Sequence, residues 1–193
     1  MSATDWDNRY RDREAGEGRP AAVLTENSHL LPAGGMALDL ACGLGANAIW
    51  LAERGLKTFA WDASPEAVAK LRAYSRENLL PITAEVREVQ AWPPEPGRFD
   101  VIVVSRFLER SLAPALAAAL RPGGLLIYET FSQIRVSDRG PSSDRFRLAD
   151  NELLTLFPSL RVRVYREEGR LGDLSQGRRD EVQFIAEQPA ASR

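Results

Sequence analysis

Two residue types that carry much of enzyme chemistry are almost missing from this chain. Its 193 residues hold one cysteine, Cys42, and one histidine, His29. A single cysteine excludes an internal disulfide and fits a reducing compartment. A single histidine argues against a His-based metal site or catalytic triad, so no metal is expected. Lysine is scarce too: only Lys57 and Lys70 stand among 25 cationic residues, the rest being arginine. No apolar run approaches the ~20 residues of a membrane span. The opening MSATDWDNRYRDRE lacks the apolar core of a secretory signal. A formal net charge of −2 argues against a broad electrostatic grip on nucleic acid. What is present, 44% hydrophobic and 27% charged residues, is the balance of a globular protein with one sizeable core. A soluble, cytoplasmic domain is expected, its oligomeric state open.

Residues 1–20 read as a polar arm, in which Trp6 and Tyr10 share a face if the arm is helical. The pair is either a staple onto the domain or a lid over a ligand. Residues 21–188 read as the domain proper and 189–193 as a tail. Within the domain, strands read at Met36–Ala41, Lys57–Trp61, Ile82–Val86, Phe99–Val104 and Leu125–Thr130 alternate with helical patterns, the sign of a parallel sheet covered on both faces. Ser64-Pro65 is a helix start, an N-cap followed by proline at the first position, with the helix reaching about Asn78. Leu108, Leu112, Leu116 and Leu120 recur at helical spacing, and Arg121-Pro122-Gly123-Gly124 ends that helix. A further helix is expected over Asn151–Phe157. Leu160–Tyr165 and Glu181–Ala186, joined by a polar connection at Gly169–Arg179, supply an antiparallel edge. The long segment Ser132–Leu148 is a candidate second lid or a solvated loop.

Ligands on such a sheet bind at the carboxyl ends of the strands, where strand order switches. The first strand ends in Asp39-Leu-Ala41-Cys-Gly43-Leu-Gly45-Ala-Asn47-Ala48, a G-x-G-x-x-A pattern between strand and helix. Seventeen residues after Gly45, Asp62 closes the second strand with Ala63 beside it, placed to take both hydroxyls of a ribose. At the third strand end, Glu88 can accept from the exocyclic amine of adenine, with Val89 supplying a backbone donor. The ligand is then NAD or S-adenosylmethionine. A pyrophosphate wants a loop free of negative charge, yet Asp39 lies four residues before the first glycine and no cation intervenes before Arg54. The ammonium and sulfonium of S-adenosylmethionine are the better match.

The stretches ALDLACGLGANAIWLA, TFAWDAS, FDVIVV and RPGG together resemble a class I S-adenosylmethionine-dependent methyltransferase, over roughly Trp6 to Glu187. The W-x-x-x-Y start, ETF, a following G-P-x-S segment and NELLTLF are similar to the tellurite-resistance-type (TehB-like) branch. That resemblance implies a Rossmann-like, doubly wound α/β sheet of seven strands, mostly parallel with the last antiparallel. It implies cofactor contacts at Asp39, Gly43, Gly45, Asn47, Asp62, Glu88 and Ser105, with S-adenosylhomocysteine as product; Ala41, Ala63 and Val89 are further cofactor-binding candidates. The His-Arg pair carried by tellurite-resistance members near the final hairpin has no counterpart in Gly169–Arg179, although Arg178 or Arg179 could stand in for an arginine there.

The strand-four end, Ser105-Arg106-Phe107-Leu108, lacks the N/D-P-P-Y of amino-group DNA methyltransferases, and Cys42 lacks a Pro-Cys context. A small-molecule acceptor is expected. Arg106 and Arg110 suit an anionic, oxyanion or chalcogen acceptor, and Glu129 and Tyr10 complete the acceptor-side candidates. No catalytic base is assigned. Rival readings are a binding module of the same fold that does no catalysis and a nicotinamide-dependent oxidoreductase.

Overall fold

The computed structural model describes residues 3–190. Seven strands form one sheet: β1 (Gly35–Leu40), β2 (Leu56–Asp62), β3 (Ile82–Val86), β4 (Phe99–Ser105), β5 (Leu120–Phe131), β6 (Arg161–Arg166) and β7 (Glu181–Glu187). Their order is β3-β2-β1-β4-β5-β7-β6. β1 to β5 pair in parallel, while β7 runs antiparallel to both β5 and β6. This is the doubly wound, Rossmann-like sheet expected, antiparallel at one edge. The switch of strand order falls between β1 and β4, whose carboxyl ends flank a crevice.

The central strands are apolar on both faces because helices cover both. One face packs Leu38, Leu40, Ile102, Val104 and Leu126 against Leu112, Leu116 and Phe157. The other packs Ala37, Val101, Val103, Ile127 and Ile185 against Val23, Leu24 and Leu51. Six helices complete the fold: α1 (Ala3–Tyr10), α2 (Ala22–Glu26), α3 (Ala46–Ala52), α4 (Pro65–Glu77), α5 (Ala113–Ala119) and α6 (Glu152–Leu156). α4 begins as its sequence predicts, with the Ser64 hydroxyl accepting from Ala67 N–H at 3.1 Å and Pro65 in the first turn.

Three stretches differ from expectation. The Leu108–Leu120 pattern is not one helix: a 3₁₀ turn at Arg110–Leu112 precedes α5, and Leu120 already pairs with Phe99. Arg106 adopts φ 53 and turns the chain off the strand axis, while the Glu109 carboxylate accepts from Ser111 N–H. Leu108 and Leu112 still reach the core, so burial without continuous helix satisfies the spacing. Second, α2 and the turn Ser28–Leu30 had no expected counterpart; five residues are too few to show a period. Third, Ser132–Leu148 is not a free loop. Arg147, 1% exposed, donates to the carbonyls of Pro141 and Ser132, each at 2.7 Å, and of Arg139. Asp180 accepts from Val136 N–H at 2.5 Å and from the Ser137 hydroxyl at 2.6 Å. Among the described residues, no helix is long and apolar enough to cross a membrane.

Candidate functional site

At the end of β1 the backbone coils tightly: Ala41, Gly43 and Gly45 all have positive φ, at 55°, 52° and 79°. For Ala41 that conformation costs about 1 kcal/mol, strain of the kind that gathers at ligand loops. A Cβ on Gly43 would lie 2.7 Å from the Tyr10 hydroxyl oxygen, and one on Gly45 2.5 Å from the Leu71 methyls. Gly45 is therefore demanded both by its positive φ and by the packing of Leu71 on α4. Gly43 is demanded by its positive φ and by the Tyr10 ring that lies against it.

Beneath this loop lies Asp39, 1% exposed. Its two oxygens accept from Asn47 Nδ2 at 3.2 Å and from Ala48 N–H at 3.0 Å, the latter in the first turn of α3. Burial pushes its carboxyl up to about 7 despite these donors, with the nearby Asp62 charge adding to the rise. Asn47 also donates to Ser105 Oγ at 3.2 Å and accepts from Ala21 N–H at 2.8 Å. It thus ties β1, β4 and the segment before α2 together.

Asp62 bridges two elements: it accepts from Gly43 N–H at 2.7 Å and from Ser64 N–H at 2.9 Å. Burial raises its pKa, and the N–H groups of Ser64, Gly43 and Ala63 oppose that rise. Each oxygen keeps a lone pair for a further donor. Arg87 N–H donates to the Asp62 carbonyl at 2.8 Å, bringing the end of β3 alongside. Glu88 is exposed there, and Val89 is buried under it.

The arm is folded against this cleft. Trp6 and Tyr10 stack on α1 with ring centroids 6.1 Å apart. Asp7 accepts from the Ser64 hydroxyl and from Glu66 N–H, and Lys70 donates to the carbonyls of Tyr10, Arg11 and Arg13 at 2.7–3.0 Å. Burial, with Asp62 nearby, pushes the Tyr10 phenol up to about 12. It is a neutral group at physiological pH.

The four acceptor-side candidates do not converge equally. Tyr10 lies over Gly43, and Arg106 is exposed just past β4. Arg110 turns away: it pairs with Glu152 at 2.5 Å and donates to the carbonyls of Arg145 and Arg147 at 2.7 and 2.9 Å. Glu129 is buried and accepts from Val23 N–H at 2.9 Å and Gln183 Nε2 at 3.0 Å. Arg179 spends its guanidinium on the carbonyls of its own connection, and Arg178 pairs with Glu26.

Residues 37–124 match the methyltransferase domain family. Among curated relatives, the ubiquinone biosynthesis O-methyltransferase of Xanthomonas axonopodis pv. citri is 31% identical over 120 residues, 59% of this chain and 50% of that protein. The putative methyltransferase YqeM of Bacillus subtilis is 28% identical over 124 residues, 58% of this chain and 49% of its own length. The chain therefore spans about half the length of the curated relatives it matches. TehB from Haemophilus influenzae superimposes with a TM-score of 0.71 at 19% identity, covering 95% of this chain and 67% of TehB. The structure from the study of disulfide conversion to a thioacetal in echinomycin biosynthesis gives 0.73 at 21%, covering 98% and 93%. A methyltransferase domain thus occupies residues 37–124 of this chain. Likeness to the two solved structures is likeness of fold.

The residues around this loop suit S-adenosylmethionine in charge. A buried carboxylate with no cation bonded to it suits an ammonium and repels a pyrophosphate. Sequence reasoning missed Gln183 and Glu181 at the head of β7, which strand pairing sets opposite Glu129 and Phe131. Their signal was faint, because strand-end polar residues look like an ordinary solvated rim until pairing brings them beside β5.

Proposed function

We propose that this chain transfers the methyl group of S-adenosylmethionine to a small-molecule acceptor. Buried Asp39 beneath a positive-φ glycine loop is the observation that carries this reading. The cofactor supplies an already activated methyl on a sulfonium. The chain's part is to bind, align and dry the reacting pair. In this reading Asp39 faces the cofactor's ammonium, with Ala41, Gly43 and Gly45 shaping the backbone around it and Asn47 and Ser105 holding it in place. Asp62 takes the ribose hydroxyls with Ala63 beside it, and Glu88 with Val89 N–H reads the adenine. Tyr10 and Trp6 cover the cleft as a lid, pinned by Asp7 and Lys70. Arg106 faces the acceptor entrance.

The test is a screen with radiolabelled methyl donor against phenols, thiols, selenite, tellurite and duplex DNA. Label on at least one small molecule, and none on DNA, is the expected result. Transfer to DNA alone would overturn the choice of acceptor class. Retention of bound donor with no transfer to any acceptor would favour a binding module.

A further inference from the structure

Strand pairing sets Glu181 at the carboxyl end of β5, opposite Phe131. In β5 the buried Ile127 packs against Val23 and Leu24 on the α2 face of the sheet, and the two-residue repeat of a strand puts Glu129 and Phe131 on that same face. Their antiparallel partners are Ile185, Gln183 and Glu181 in turn. Ala37, Val101 and Val103 mark the same face on β1 and β4, so Asp39 and Ser105 belong to it too. Asp39, Ser105, Glu129 and Glu181 thus share one face at the carboxyl end of β1, β4 and β5, in three steps outward: Asp39 level with Val103, Ser105 with Glu129 and Gln183, and Glu181 with Phe131. Glu181 is the member set furthest out toward the opening. The preceding residue fixes it: Asp180 takes φ 67, and its carbonyl accepts from Ser132 N–H at 2.8 Å while its carboxylate gathers the start of the 132–148 segment.

We propose that Glu181 is the acceptor-side base, and that the acceptor is therefore a protic nucleophile, a hydroxyl or thiol that arrives with its proton on. This rests on the methyltransferase reading above. The bond made joins the acceptor's oxygen or sulfur to the methyl carbon. The bond broken is carbon–sulfur, whose electron pair stays on sulfur and cancels its charge, and the acceptor's proton passes to the Glu181 carboxylate. The groups facing Glu181 suit this task. Arg139, from the Arg147-stapled segment, pairs with it at 3.2 Å. Glu129 on β5 repels it, while Arg106 past β4 and Arg178 before β7 attract it more weakly. Burial and Glu129 outweigh the three arginines, so the carboxyl takes up a proton more readily than an ordinary glutamate. The arginines in turn favour the anion that the acceptor becomes. Glu129 is already engaged by Val23 and Gln183 and is not the base.

Two measurements decide it. In protein labelled with ¹³C at the glutamate carboxyl and saturated with S-adenosylhomocysteine, the Glu181 signal, assigned with Glu181→Gln, should titrate above the usual ~4.3. It should rise again in Arg139→Ala. Titration at or below the usual value, or no response to Arg139→Ala, overturns the assignment, and this arm needs no acceptor. In the second, Glu181→Gln should cut turnover of phenols and thiols about 100-fold or more. It should keep the wild-type affinity for S-adenosylhomocysteine, and the defect should shrink as substituents make the acceptor acidic enough to arrive ionised. An equal loss across that series, or wild-type turnover of none but ionised acceptors, overturns it. Failure of the wild type to bind S-adenosylhomocysteine would sink the methyltransferase reading itself, a result distinct from either of these.

Discussion

Asp39 makes cofactor binding a proton-linked event, and the linkage has a calculable size. Burial holds the free carboxyl near 7, so at pH 6 it carries its proton in about nine molecules of ten. An ammonium arriving beside it favours the charged form, and the proton must leave. Affinity should therefore fall about tenfold for each pH unit below 7, roughly 1.4 kcal/mol per unit, and flatten above it. At pH 6 about 0.9 proton should appear in solution for each ligand bound. The useful window is pH 5.5–7.5, below the range in which a free α-amino group titrates. The same shift has a stability consequence of opposite sign. A carboxyl raised on folding contributes stability that is complete below the unfolded pKa of 3.8 and is lost as pH rises through about 7. The loss for the free protein is on the order of 4 kcal/mol at most. Equilibrium dialysis of S-adenosylhomocysteine across the window, with a pH indicator in weak buffer, measures both affinity and released protons. Asp39→Asn should abolish the slope. Flat affinity with no proton released in the wild type would refute the reasoning.

Asp62→Ala should weaken S-adenosylhomocysteine binding by about 1.5–3 kcal/mol, the worth of a charge-assisted hydrogen bond, with the fold retained; unchanged affinity by calorimetry would contradict the ribose role. Arg147→Met leaves three carbonyls without their donor, that of Ser132 buried, and should cost about 2–4 kcal/mol in urea unfolding. It should also speed trypsin cleavage at Arg135–Arg145, and unchanged cleavage would mean the segment is held otherwise. Lys70→Met frees the carbonyls that end α1 and should speed proteolysis of residues 9–19, with bound S-adenosylhomocysteine slowing it again; equal rates with and without ligand would show that the arm is no lid.

The sheet was legible because its signals are local. Met36–Ala41 and Phe99–Val104 are short, nearly unbroken apolar runs of the kind a strand buried on both faces carries, and the Ser64-Pro65 start carries its own cap. The cofactor side was nearly as open to reading, since loop, glycines and acids are contiguous around β1 and β2. The acceptor side was not, because its residues meet only through pairing. Arg110 and Glu152 are 42 residues apart, and nothing in the sequence says that the guanidinium closes on that carboxylate instead of facing the cleft. Glu129 looks like a free strand-end acid until the α2 backbone, itself too short to announce a helix, is laid across it. Glu181 reaches the carboxyl end of β5 only through its antiparallel register with Phe131. The arginine-rich 132–148 segment reads as solvated because its centre, Arg147, is a charged residue buried by backbone carbonyls, a use of arginine that composition does not reveal.

The central claim is that the crevice between β1 and β4 is built for a sulfonium nucleoside and not for a dinucleotide. Calorimetric titration of the wild-type chain at pH 7.5 with S-adenosylmethionine, S-adenosylhomocysteine, NAD and NADP tests it directly. Saturable one-to-one binding of the two sulfur nucleosides, with no heat from either dinucleotide, is the expected result. Binding of NAD with no response to either sulfur nucleoside would contradict it.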